Sequence, residues 1–145
     1  KILNDEICET TTRGMFVTMI VGVYDKNKNE LLLSNAGHEP PLIFSSNGNF
    51  KTIDEAGPPL GIAPNFKFTE QIISFKESSM YIFTDGITEM KNTNGDMLGQ
   101  EGFQAYIKKY QSTPNNKRLQ KIIEDLISSG RIQKDDLTIV TVDGK

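Results

Sequence analysis

The sequence predicts an α+β domain in which two antiparallel β-sheets pack as a sandwich with helices outside. Three observations carry that expectation. Short runs rich in β-branched and aromatic residues, separated by Gly, Asn and Pro turns, occupy the chain as far as Thr84. Two segments with apolar residues at helical spacing follow between Glu101 and Ser129. A β-branched run, Leu137 to Val142, closes the chain.

Taken in order, Asn4 to Glu9 is polar, with Leu3 and Ile7 one helical turn apart, which suits the last turns of a helix. Met15 to Asp25 reads as a long strand through Val17, Thr18, Ile20, Val21 and Val23. Lys26 to Asn29 reverses the chain, and Glu30 to Ser34 returns as its partner. Pro41 to Ser45 and Phe50 to Ile53 form a second hairpin around Ser46-Asn47-Gly48-Asn49, where Gly48 supplies a positive φ. Ala56-Gly57-Pro58-Pro59-Leu60-Gly61 cannot be regular structure, because Pro removes donors and Gly removes restraint. Phe66 to Phe75 is expected as the next strand, and Met80 to Thr84 follows the turn at Lys76 to Ser79. Glu101 to Tyr110 carries Phe103, Tyr106, Ile107 and Tyr110 on a helical face. Asn116 to Ser129 does the same with Leu119, Ile122, Ile123, Leu126 and Ile127, and Gly130 suits the C-terminal cap.

At 145 residues, with no repeat and no linker long enough to divide it, the chain reads as one domain. A charged fraction of 24% beside 37% hydrophobic residues is that of a soluble globular protein. The net charge of −3 argues against nucleic acid or an anionic membrane as the main partner. Cys8 is the only cysteine, so no internal disulfide forms, and a reducing, cytoplasmic setting is the natural reading. The apolar runs are strand-sized, and Lys1 to Glu6 lacks the apolar core of a signal peptide.

Two acidic motifs carry the chemistry. Tyr81-Ile82-Phe83-Thr84-Asp85-Gly86 is an apolar strand ending on an acid, and Lys134-Asp135-Asp136 stands just ahead of the last strand. A carboxylate at the end of a rigid strand is held still while its oxygens stay open to a hard cation such as Mg²⁺ or Mn²⁺. Two such ends side by side make half of a metal site. The plainer readings are that Asp-Gly turns the chain and that Asp135-Asp136 caps a strand; against the second, adjacent like charges favour a nearby cation. His38, the only histidine, follows a strand and precedes the rigid Pro40-Pro41, in a turn tightened by Gly37. With one His and one Cys, a zinc site of the His/Cys kind is impossible. A Ser-His-Asp triad is only formally available, and with no Gly-x-Ser-x-Gly elbow and no Gly-rich phosphate loop ahead of a helix, the chemistry left is water activation by a carboxylate-bound metal. Asn92 to Gly99 has part of a calcium-loop pattern but lacks its preceding helix and final Glu, and reads as a turn.

Phe16-Val17-Thr18, Asn35-Ala36-Gly37-His38-Glu39-Pro40-Pro41, Gly57-Pro58-Pro59-Leu60-Gly61, Thr84-Asp85-Gly86-Ile87-Thr88-Glu89 with Gly95-Asp96-Met97-Leu98-Gly99, and Asp135-Asp136-Leu137-Thr138 occur in that order. This series resembles the SpoIIE/RsbU-like branch of the bacterial PPM-type (protein phosphatase 2C-like) serine/threonine phosphatases. The resemblance implies two Mn²⁺ or Mg²⁺ ions bridged by a water that attacks phosphoserine or phosphothreonine. It implies Asp85 and Asp135 as metal ligands. It sets His38 where eukaryotic relatives carry an Asp near the metals, as a catalytic candidate, with Glu89 ordering the loop. The family's Gly-Asp-x-x-Gly-His-Gly motif, whose Asp bridges both metals, is absent from the sequence. Residues 1–145 are therefore expected to be a partial domain lacking its N-terminal portion, inactive or nearly so in isolation, and preceded by a sensor or regulatory region in the parent chain. The substrate implied is a phosphorylated protein of the anti-sigma-factor-antagonist type. The alternative is a non-catalytic relative that binds a signalling partner and uses the same acids as turn residues.

Overall fold

The computed structural model describes residues 1–10, 14–53 and 56–144. As far as Phe83 the chain carries α1 (Ile2–Thr10), β1 (Met19–Asp25), β2 (Glu30–Ala36), β3 (Leu42–Ser45), β4 (Phe50–Thr52), β5 (Gln71–Ser74) and β6 (Ser78–Phe83). Beyond Phe83 it carries α2 (Asp85–Thr88), α3 (Gly99–Lys109), α4 (Asn115–Ser128) and β7 (Ile139–Asp143). The strands form a three-stranded sheet, β1-β2-β5, and a four-stranded sheet, β4-β3-β6-β7. This is the expected α+β class with two antiparallel sheets. The chain divides into two compact units, Lys1–Pro40 with Thr52–Ser78 and Gly144–Lys145, and Pro41–Lys51 with Ser79–Asp143.

In the first unit, β1 and β2 pair from Asp25↔Glu30 to Met19↔Ala36. The carboxylate of Asp25 accepts the N–H groups of Asn27 and Lys28 at 2.9 and 3.2 Å, so the connecting turn is stapled by its own first residue. β5 lies along β2 from Glu30↔Ser74 to Leu33↔Gln71. Period-two alternation then turns Leu31, Leu33 and Ile73 inward, where they are buried along with Ile53, Leu60 and Phe75.

Two strands are shorter than the sequence suggests. Phe66 to Glu70 lies outside any strand, because the length of β2 it would pair with is already engaged: the Asn35 carbonyl accepts the Gly57 N–H at 2.8 Å. Phe66 and Phe68 instead form an edge-to-face pair, centroids 5.0 Å apart, against Gly57, where any Cβ would strike both rings. Likewise β1 begins only at Met19, and Val17 pairs with Leu60 through reciprocal hydrogen bonds of 3.0 and 2.8 Å. Backbone groups must be paired somewhere, and the Gly-Pro segment supplies the partners.

In the second unit, Phe103 and Ile107 of α3 and Ile122 and Leu126 of α4 occur at i, i+4 and are all buried. They join Leu42, Phe44, Tyr81, Phe83, Ile87, Met90 and Leu98 in one core. Phe103 sits edge-on to Phe83 with centroids 4.9 Å apart. Burying a side chain of this size contributes about 1.5–3 kcal/mol, so these few residues decide where α3 and α4 rest. The polar tie is Arg118 of α4, whose guanidinium donates to Ser79 Oγ and Tyr81 Oη, both at 3.1 Å, and to Asn115. Ser79 Oγ in turn donates to Asp143 at 2.5 Å. Among the described residues, no helix is long and apolar enough to cross a membrane.

Candidate metal centre

The geometry of the acids follows from the pairing of β6 with β7. These strands are antiparallel neighbours whose last pair is Phe83↔Ile139. The pairing continues one step: the Thr84 N–H donates to the Thr138 carbonyl at 3.1 Å, and the Thr138 N–H donates to Thr84 Oγ1 at 3.1 Å. In an antiparallel pair the end of one strand lies against the beginning of the other. Asp85 and the Asp135–Asp136 segment therefore emerge at the same end of neighbouring strands.

Asp85 opens α2, and its carbonyl accepts the Glu89 N–H at 2.8 Å and the Thr88 hydroxyl at 3.1 Å, so its backbone is fixed while the residue is exposed. Asp135 and Asp136 are exposed too. Asp135 Oδ1 accepts the Asp136 N–H at 2.7 Å, and the Asp135 carbonyl accepts from Gln133 at 3.0 Å. Gly86 lies close against the second segment: a Cβ built there overlaps the Asp136 carbonyl oxygen. Glycine at 86 is demanded by that approach of two backbones rather than by an unusual dihedral angle.

His38 belongs to the first unit. The buried Asn35 clamps its loop, accepting the His38 N–H and donating to the His38 carbonyl, both at 2.9 Å. The hydroxyl of Thr18 lies 3.3 Å from His38 Nδ1. Gly37 has φ 68°, and a Cβ there would strike the Pro59 ring. The motifs around residues 17, 37 and 59, scattered in sequence, thus form one packed cluster that aims the His38 loop.

Exposed carboxylate oxygens are hard donors and fit a divalent cation of the Mg²⁺ or Mn²⁺ kind. They fit it in part, for among the described residues no group of three or more His, Cys, Asp or Glu is assembled to hold a metal ion. Sequence reasoning named the acids and His38 but missed two residues that fix their segments, Thr84 beside Asp85 and Asn35 on the His38 loop. Thr84, whose hydroxyl joins the two strand ends, was readable as a polar β-branched residue directly before the acid. Asn35 carried no comparable signal, since a buried Asn looks like any turn residue until its partners are known.

Comparisons with known proteins bear on the family and the fold. The profile of the family described as Stage II sporulation protein E (SpoIIE) matches residues 1–145. Protein IcfG of Synechocystis sp. is 32% identical over 98% of this chain, which spans 23% of that protein. Phosphoserine phosphatase RsbU of Bacillus subtilis is 26% identical, again over 98% of this chain and 43% of its own length. The chain thus spans less than half of either relative. The manganese-soaked phosphatase domain of the B. subtilis cell-fate determinant SpoIIE has the same fold, with a TM-score of 0.69 at 18% identity over 98% of this chain and 62% of that one. With the family profile matched across residues 1–145 and the fold shared with a solved member, the chain belongs to the SpoIIE family of PPM-type serine/threonine phosphatase domains.

Proposed function

We propose that this chain is part of a metal-dependent protein phosphatase that hydrolyses phosphoserine or phosphothreonine on a bacterial signalling protein. The observation that carries the reading is the emergence of Asp85 and Asp135 at one end of the paired strands β6 and β7. Asp85 and Asp135 would hold divalent cations, Mn²⁺ or Mg²⁺, together with a further carboxylate that the described residues do not supply. The chemistry such cations supply is a nucleophilic water at neutral pH and positive charge for the phosphoryl oxygens. His38, on its clamped loop, serves to orient water or phosphate. The relatives extend the reading: RsbU is a phosphoserine phosphatase, and a phosphorylated anti-sigma-factor antagonist in the cytoplasm, with a regulatory region elsewhere in the protein, is the matching setting.

The test is Mn²⁺-dependent hydrolysis of a small aryl phosphate and of a phosphoserine protein by the full-length protein. Turnover that vanishes in Asp85→Asn supports the reading, as does weak turnover by the 145-residue chain alone. Full-length protein without metal-dependent turnover sinks it. The incomplete acid set among the described residues favours a second reading, a non-catalytic relative that binds a signalling partner. That reading requires Asp85→Asn to leave the full-length protein's function unchanged.

A further inference from the structure

The acids of the candidate centre lie in separate segments, fifty residues apart in sequence, and the side chain of Thr84 links those segments. Thr84 Oγ1 donates to the Asp136 carbonyl at 3.2 Å and accepts the Thr138 N–H at 3.1 Å. One hydroxyl can do both, because it has a proton to give and lone pairs to receive. It thereby brackets Leu137 and fixes the peptide groups on either side of it. The chain of contacts continues to the acid itself: the Asp136 N–H, on the residue whose carbonyl Thr84 holds, donates to Asp135 Oδ1 at 2.7 Å. That bond occupies one carboxylate oxygen of Asp135 and sets the direction of the other. On its other side Thr84 is covalently joined to Asp85.

We propose that Thr84 is the positioning residue of the metal centre, a brace that fixes the spacing and orientation of Asp85 relative to Asp135 through its hydroxyl. The inference rests on the reading of Asp85 and Asp135 as metal ligands. The brace is built from the hydroxyl rather than from packing, since the site is a solvent-facing edge where both acids are exposed. At such an edge water satisfies stray N–H and C=O groups, so the strand ends would survive without the hydroxyl but would lose their fixed relation. Groups that orient metal-binding side chains typically alter metal affinity by about 10–100-fold when removed.

The test compares Thr84→Val, Thr84→Ser and Thr84→Ala with Asp85→Asn in the full-length protein. Mn²⁺ affinity is read from the electron paramagnetic resonance signal of free Mn²⁺, beside amide exchange at Thr138 and a thermal melt without metal. Thr84→Val should weaken Mn²⁺ binding about tenfold and expose the Thr138 amide to exchange, while Thr84→Ser stays within about twofold of the natural protein. The Ser and Ala variants both lack the methyl and differ only in the hydroxyl, so their difference isolates the brace even if Thr84→Val does not fold. Equal Mn²⁺ affinity in Thr84→Ser and Thr84→Ala, with Asp85→Asn impaired, overturns the brace and leaves the metal centre standing. Undiminished Mn²⁺ binding in Asp85→Asn overturns both.

Discussion

Gly86 faces the main-chain carbonyl of Asp136 so closely that no side chain fits between them. Gly86→Ala must push the Asp136 segment away from β6, because the obstructing atom is backbone and cannot rotate aside. A cost of about 1–3 kcal/mol in stability is expected from overpacking of this kind. Metal-dependent turnover should fall further than stability does, since the displaced segment carries Asp135. Thermal melts paired with Mn²⁺ titration separate the two effects, and a melt unchanged from the natural protein would contradict the close approach.

Asp85→Asn and Asp135→Asn should abolish metal-dependent turnover while sparing the metal-free fold. Crowded carboxylates repel one another, so removing one charge spares or raises the stability of the metal-free protein. The Asn side chain at 135 retains an oxygen to accept the Asp136 N–H. Metal-free melts that drop sharply in both variants would identify the acids as structural caps instead.

His38→Ala should lower turnover less than either Asp→Asn change, because an imidazole that orients water or phosphate contributes less than a ligand. Asn35→Ala is the sharper probe of that loop. It removes two hydrogen bonds from a residue that is 2% exposed and should destabilise the protein by about 1–3 kcal/mol. Equal melting temperatures for Asn35→Ala and the natural protein would show that the clamp holds nothing.

Arg118→Met should cost about 2 kcal/mol, because the guanidinium is tied to Ser79, Tyr81 and Asn115 on a side chain only 12% exposed. Those ties lie at the Ser79 and Asp143 end of β6 and β7, away from Asp85 and Asp135. The loss should therefore appear in the melt and not in Mn²⁺ affinity, which makes this variant a control for the site variants.

Stability should decline in alkali through Tyr81. Burial pushes its phenol above the ordinary value of 10.0, and the opposing pull of the hydrogen-bonded Arg118 is smaller. The unfolded chain then releases this proton at lower pH than the folded one. Its contribution is complete below about pH 10 and is lost as pH rises through the folded value. Tyr81→Phe should make the alkaline limb of a stability profile shallower; an unaltered limb would contradict the assignment.

Local periodicity was enough to establish the β1–β2 hairpin, helices α3 and α4 within a residue or two, and the placement of an acid at the end of β6 and ahead of β7. These features depend on side-chain alternation and turn chemistry over a few residues, which a sequence displays directly. Partner choice does not depend on near neighbours. Strand-end placement and the family resemblance implied that Asp85 and Asp135 share a site, but the pairing that brings them to one end of the sheet, β6 beside β7, came only with the tertiary structure. So did the engagement of Asn35 by Gly57, which ended the expected strand at Phe66 to Glu70, and the double hydrogen bond of Thr84. Each of these is a backbone group finding a partner many residues away, and the competition for those partners is settled only when the whole chain is in place.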